Sequence, residues 1–356
     1  RTINSRTDEF KVLVGPMFKA IEKRLFSLPW FIKKIPMDER PAYIMDRVYQ
    51  PGATVIATDY SSFESSFVAE LQNACEVELY DYMSSLHPEH ADFMRRYRDV
   101  VLGEQCIDFK LFTIRMAAIR MSGEMNTSLG NGFSNLMFFL FGCETHGVKN
   151  PKGVVEGDDG LFSYFGTLPE SFFPTLGLVI KLEVVENINE ASFCGLIFDK
   201  EELYNITDPI KVLLNFGWTT REYTGASRKR HLELIRAKAL SMKYQYPGCP
   251  IITALADYGL RITRGITVRT DVVFKNLYVR EEFLRSQEKY NSKIPNVPVG
   301  EKSRYLMERK FGVTVEQQLA IEDRLNSMNH LSAIEIVDLL PDIKLNYSVY
   351  YDDYVS

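Results

Sequence analysis

The stretch Val154-Val155-Glu156-Gly157-Asp158-Asp159-Gly160-Leu161-Phe162-Ser163-Tyr164 reads as two apolar strands on either side of a Gly-Asp-Asp-Gly turn. Glycine and aspartate favour the backbone angles of a tight turn, and the flanking apolar residues ask to be buried, so the segment predicts a tight hairpin. Upstream, the Pro51-Gly52 turn introduces Ala53-Thr54-Val55-Ile56-Ala57-Thr58, a β-branched run that predicts a strand with Asp59 at its carboxyl end. Neighbouring strands lie about 4.8 Å apart, so pairing the two elements would bring Asp59 and Asp158 within reach of one another. By itself Gly-Asp-Asp is an ordinary solvated turn. Its apolar flanks and the strand-end acid upstream shift the reading towards chemistry.

Carboxylates from separate strands converging on one point are what phosphodiester synthesis by two metal ions requires. Magnesium, a hard cation that takes oxygen ligands, suits such a set. A second segment, Ser122-Gly123-Glu124-Met125-Asn126-Thr127-Ser128-Leu129-Gly130-Asn131, predicts a flexible Ser-Gly loop entering a helix. On that helix Leu129, Phe133, Leu136, Met137 and Leu140 form an apolar stripe, while Thr127, Asn131 and Ser134 share another face. A polar face beside a buried stripe suits contact with a sugar, and a plain helix N-cap by Asn126 or Thr127 is the competing reading.

Around these segments, residues 10–35 alternate apolar and basic residues and end in Leu28-Pro29-Trp30 and Lys33-Lys34. Residues 67–100 predict a helix, with Val68, Leu71, Cys75, Leu79 and Tyr82 at three- and four-residue spacing. Residues 178–186 and 192–198 predict two further strands. Beyond about residue 206 the pattern turns helical: Ser227 is a candidate N-cap, Leu232, Ile235, Ala239 and Met242 form a stripe, and Pro247-Gly248 stops it. Residues 291–300, with two prolines, predict a surface loop.

At 46% hydrophobic residues, the 356-residue chain can bury a large core. No run of eighteen or more apolar residues appears, so no membrane span is predicted. The first residues, Arg1 to Arg6, already carry specific chemistry, and the chain is expected to begin inside a longer protein. Five cysteines stand singly without a C-x-x-C pair, which predicts buried free thiols rather than zinc ligands or a disulfide scaffold. The net charge of −5 hides an uneven spread: residues 1–50 hold ten Lys/Arg against six Asp/Glu, residues 211–245 eight against two, and residues 312–356 two against eight. The two basic stretches suit a channel that tracks phosphates, or equally a solvated helix face.

The order of these segments resembles the palm motifs of viral RNA-dependent RNA polymerases of positive-strand RNA viruses, in particular the tombusvirus-like replicases. Asp59 followed by an acid at Glu64 resembles motif A, Ser122-Gly123 with Thr127 and Asn131 motif B, and Gly157-Asp158-Asp159 motif C. Arg1, Arg6, Lys11 and Gly15-Pro16 resemble the end of the basic fingers motif, Gly177 with Lys181 motif D, and Ser192-Phe193-Cys194-Gly195 motif E. Leu234-Ile235-Arg236-Ala237-Lys238-Ala239-Leu240 and Pro247-Gly248-Cys249-Pro250 resemble the thumb.

The resemblance implies an α+β fold, a right-hand polymerase with a fingers remnant over 1–50, an antiparallel-sheet palm with flanking helices over 51–205 (a fingers insertion at about 70–115), and a helical thumb over 206–356. It implies template-directed RNA synthesis replicating a viral genome. Asp59, Asp158 and Asp159 would be catalytic and bind metal with Tyr60, and Lys181 would be the general acid, unless it is a lysine snorkelling from a strand end. Arg1 and Arg6 would hold the triphosphate. Glu64, Ser122, Gly123, Thr127 and Asn131 would contact the ribose, whose 2′-hydroxyl separates RNA from DNA. Two Mg2+ ions, replaceable by Mn2+, are the implied cofactors. Single-stranded RNA template, nascent RNA, ribonucleoside triphosphates and the rest of a viral replicase polyprotein are the implied partners. The implied location is the host cytoplasm, at membrane-associated replication complexes reached through other segments. One departure stands out: the family's second motif A aspartate is here Glu64, one methylene longer. The rival readings are a reverse transcriptase and an inactive polymerase-like RNA-binding scaffold. Asn131, Glu64 and the intact aspartates speak against them.

Overall fold

The computed structural model describes residues 4–86, 90–121, 123–219, 221–274 and 277–340. The chain divides into two compact units, one formed by residues 1–34 and 44–194 and the other by residues 35–43 and 195–356. The architecture is mixed, with antiparallel sheets and many helices.

The first unit begins with helix α1 (Asp8–Leu25), where the sequence pattern suggested only alternation. Its ends carry the signals of a helix: the Thr7 hydroxyl accepts from the Phe10 N–H, Asp8 and Glu9 sit in the first turn, and Lys23 and Arg24 in the last. Helix α2 (Arg40–Val48) bridges the two units in sequence and leads to strand β1 (Thr54–Tyr60). The hairpin is present and longer than predicted, with β4 (Lys149–Glu156) and β5 (Asp159–Phe165) joined by Gly157 and Asp158. Glu156 pairs with Asp159, and φ is positive (64°) at Gly157 but not at Asp158, the pattern of a type II′ turn. With β6 (Ile180–Val185) these strands form an antiparallel sheet in the order β4-β5-β1-β6. The outer edge of β4 is covered by residues 30–32, since the Val155 N–H donates to the Trp30 carbonyl at 2.8 Å.

Alternation along β1 sends Ile56, Thr58 and Tyr60 to one face and Val55, Ala57 and Asp59 to the other. On the first face lies helix α6 (Thr127–Thr145), where Phe139 stacks on Phe162 of β5 with centroids 3.9 Å apart. This helix is buried on more than its predicted stripe. Leu129 and Leu136 are buried as expected, but so are Asn131, Ser134, Asn135, Phe138 and Phe139.

The predicted helix over 67–100 is corrected into shorter pieces: α3 (Ala69–Gln72), a π-turn over Asn73–Val77, α4 (Glu78–Ser85) and α5 (Ala91–Val101). Each π step bonds i to i+5, so the buried face shifts partway along. Val68 and Tyr82 of the expected stripe are exposed, while Gln72, Glu76, Val77 and Tyr80 are buried with Cys75. An exposed two-stranded ribbon follows, β2 (Glu104–Asp108) with β3 (Thr113–Ala117).

In the second unit the segment predicted as a strand over 192–198 narrows to β7 (Ile197–Phe198), paired with β8 (Asn205–Ile206). The remainder is helical, as expected: α7 (Pro209–Asn215), α8 (Arg228–Gln245), α9 (Ile252–Ile262), α10 (Thr270–Val273), α11 (Leu277–Lys289), α12 (Glu301–Phe311) and α13 (Val315–Ser327). Ser227 caps α8 by accepting from the Arg230 N–H, and residues 291–300 connect α11 to α12. Among the described residues no helix is long and apolar enough to cross a membrane. Of the cysteines, Cys75, Cys143 and Cys249 are buried, Cys194 is half-buried, and Cys106 is exposed, against expectation, on the ribbon.

Candidate active site

Asp59, Asp159 and Lys181 meet because of strand register. Thr58 pairs with Gly160, so one step further Asp59 stands opposite Asp159, and on its other side Asp59 pairs directly with Lys181. Directly paired residues point to the same face with Cβ atoms about 5 Å apart. Asp158 sits at the turn beside them and lines a cavity of about 580 Å³ that also contains Tyr60, Glu64, Arg120, Met121 and the ribbon residues Phe109 and Met116.

The acids crowd one another. Asp159 keeps contact with solvent, yet the protein mass around it, then the negative charges of Asp158, Glu156 and Asp59, push its carboxyl up to about 6, against a hydrogen bond from Cys194. A cation would relieve this repulsion, and the donors are all oxygens, as magnesium prefers. Among the described residues no three Asp, Glu, His or Cys side chains form a ready-made metal cage. That is compatible with magnesium, which keeps waters and binds through one or two carboxylates together with substrate phosphates. Tyr60 turns its buried phenol inward to donate to Asn135 Oδ1 at 3.3 Å, so the oxygen it can offer an ion is its main-chain carbonyl.

Asn135 went unnoticed in the sequence. Its side chain is fully buried on α6, where Nδ2 donates to the carbonyl of Asp158 at 2.9 Å and that of Gly157 at 3.4 Å. It therefore ties the turn to Tyr60 at the end of β1. Gly132, on the same helix, faces the turn, and a Cβ there would stand 3.4 Å from the Gly157 nitrogen, an ordinary contact distance. The only signal was an asparagine at i+4 from Asn131, indistinguishable in sequence from a solvated residue.

Glu64 and Asn131 do meet, Nδ2 donating to Glu64 Oε1 at 3.4 Å, and Asn131 Oδ1 accepts from Arg120 Nη1 at 3.0 Å. Arg120 also pairs with the buried Glu76, and its guanidinium lies 4.1 Å from the Phe67 ring centroid. Neither Arg120 nor Glu76 was singled out in the sequence, because both sit in segments where a charged residue reads as surface. The helix-cap reading of motif B fails for Asn126: it occupies the N-cap, but its amide donates to the Tyr80 and Tyr97 hydroxyls, each at 3.0 Å. Thr127 donates to the Glu124 carbonyl at 3.0 Å, and Gly123 takes a positive φ of 99°.

Arg6 is engaged by protein groups, with Nε donating to Glu124 Oε1 and Nη2 to Gln105 Oε1, both at 2.9 Å. Arg1 and Ser122 lie outside the described residues. In the basic stretch 211–245, several charges serve the second unit itself. Arg230 pairs with Glu233, Lys243 with Asp257, Arg236 donates to the Thr263 carbonyl, and Lys238 to that of Asn215. Lys211, Arg221, Arg228 and Lys229 are exposed.

No family model matches the chain. It is similar to three curated proteins, each named RNA-directed RNA polymerase: from Cymbidium ringspot virus, 25% identical over 92% of this chain; from Tomato bushy stunt virus (strain Cherry), 26% over 91%; and from Cucumber necrosis virus, 25% over 92%. The aligned part is 40% of each of those proteins, so the chain spans about two fifths of the length of the curated relatives it matches.

Proposed function

We propose that this chain carries the nucleotidyl-transfer centre of an RNA-dependent RNA polymerase that adds ribonucleoside monophosphates to an RNA 3′-hydroxyl, copying a viral genome. The observation that carries the reading is the register of the central sheet, which sets Asp59 between Asp159 and Lys181, with Asp158 on the cavity beside them. Similarity to polymerases along nearly the whole chain supports it. In this reading residues 1–50 complete the fingers, 51–205 form the palm and 206–356 the thumb, working with the rest of a viral replicase.

Two magnesium ions, held by Asp59, Asp158, Asp159 and the Tyr60 carbonyl, would neutralise the phosphates and activate the attacking hydroxyl. The chain's own groups do the rest. The type II′ turn and Asn135 hold the Asp158 carboxylate at the cavity wall. Lys181, an ammonium opposite Asp59, donates the proton that the leaving pyrophosphate needs. Glu64 and Asn131 meet the ribose. Arg6 draws on the triphosphate only by exchanging its bonds to Glu124 and Gln105.

The test is nucleotide incorporation on a primed RNA template, alongside RNA binding. Asp158→Ala is expected to abolish incorporation while leaving fold and RNA binding nearly intact, with Asp159→Ala milder. Near-normal incorporation by Asp158→Ala would overturn the assignment.

A further inference from the structure

A side-chain amide can face either way, and its neighbours choose. Arginine only donates, so Arg120 Nη1 takes the oxygen of Asn131 and leaves Nδ2 facing the Glu64 carboxylate. Arg120 and Glu64 both line the cavity beside Asp158, and the buried Asn131 connects them. Arg120 is itself fixed from three sides: by its ion pair with Glu76, by the Phe67 ring, and by the bond to Asn131. Glu76 is fixed in turn, accepting from the Tyr80 hydroxyl at 3.2 Å, which accepts from Asn126. Gly130 makes the room, since a Cβ there would collide with both Arg120 Nη1 and Glu76 Oε2. Glu64 has one more rotatable bond than the aspartate usual at this position, and so needs more anchoring to present its carboxylate in one place.

We propose that the buried Arg120–Glu76 ion pair is the positioning element of ribose selection, orienting the Asn131 amide and through it the Glu64 carboxylate towards the 2′-hydroxyl of the incoming nucleotide. The inference rests on the polymerase reading above. Its ligand class is the ribonucleoside triphosphate, and the pair acts through Asn131 and Glu64 rather than by touching the sugar. A site built to bond a hydroxyl rejects the analogue lacking it, because its own polar groups are then left unpaired. Once the amide can rotate, that penalty on the deoxynucleotide fades together with the gain on the ribonucleotide.

The experiment measures kcat/KM for single addition of a matched ribo- and 2′-deoxyribonucleoside triphosphate by the full-length protein that carries this chain, on a primed RNA template. The double substitution Arg120→Met with Glu76→Leu removes both charges, so neither is left buried and alone. Gly130→Ala keeps both charges and pushes them apart with a methyl, on a helix where alanine is the better former. Thermal melting reports whether each is folded. In whichever variant folds, the ribo-to-deoxy ratio is expected to fall by about tenfold, mostly through a higher KM for the ribonucleotide. A folded, active variant that keeps the unsubstituted ratio would overturn the inference and leave the polymerase reading standing. Failure of the unsubstituted full-length protein to add either nucleotide, under conditions where a known polymerase does, would sink both.

Discussion

Asp159 stands among like charges: Asp158 is its chain neighbour, Glu156 its hairpin partner, and Asp59 faces it across β5 and β1. Burial and these neighbours raise its carboxyl to about 6, above the roughly 3.9 of an unfolded aspartate. The folded chain therefore holds a proton that the unfolded chain has released, between about pH 4 and pH 6. Stability from this group is full below that window, falls as pH rises through it, and stays lost above. Asp159→Asn cannot ionise and escapes the loss. In EDTA, its melting temperature relative to the unsubstituted chain should climb from pH 4 to pH 6.5, and adding magnesium should narrow the gap. Melting curves that stay parallel across the window would remove the electrostatic account. Asn135 illustrates the opposite economy at the same site, an uncharged residue holding the carbonyls of Gly157 and Asp158.

At the scale of elements, helix α8 shows how little a count of charges says about nucleic acid. Arg230, Arg236, Lys238 and Lys243 are spent on Glu233, the Thr263 carbonyl, the Asn215 carbonyl and Asp257. Arg228 and Lys229, at the first turn, remain exposed with Lys211 and Arg221. If this face meets RNA, the slope of log affinity against log salt should flatten by about 0.7 for each phosphate contact removed. Replacing Arg228 and Lys229 by glutamine should therefore flatten it. Arg236→Gln should leave the slope unchanged and lower the melting temperature. Anisotropy of a labelled single-stranded RNA over a salt series gives the slope, and an unchanged slope for the Arg228/Lys229 variant would mark those charges as merely solvated.

At the scale of the whole molecule, residues 35–43 belong with the second unit although they precede the central sheet in sequence. Asp38 accepts from Lys289 Nζ at 2.6 Å and from the Tyr290 hydroxyl, and Asn205 Nδ2 donates to the Met37 carbonyl. A segment pinned this way contributes to the second unit's stability rather than acting as a passive linker. Asp38→Ala takes the acceptor from the part-buried Tyr290 hydroxyl, while Lys289 keeps its pair with Glu39, at a cost of roughly 1–3 kcal/mol. Denaturant unfolding of the full chain should show that loss. A change within a few tenths would mean the segment is tethered by its backbone alone.

Much of this was legible in the residues themselves. The Gly-Asp-Asp-Gly hairpin, the strand before Asp59, the helix after Asn126, the Ser227 cap and the helical second half are local patterns. They are set by turn-forming residues, β-branching, apolar periodicity and capping, which need no distant partner. Tertiary structure decided what depends on partners far along the chain. The pairing of Asp59 with Lys181 is a matter of register, and the π-turn shifted the buried face so that Glu76 went inside and Tyr82 outside. A buried charge is tolerable only where its counter-charge arrives, and the counter-charge of Glu76 is Arg120, 44 residues later in the chain. Periodicity treats every charged residue as surface. Only the folded chain can say which have found a partner.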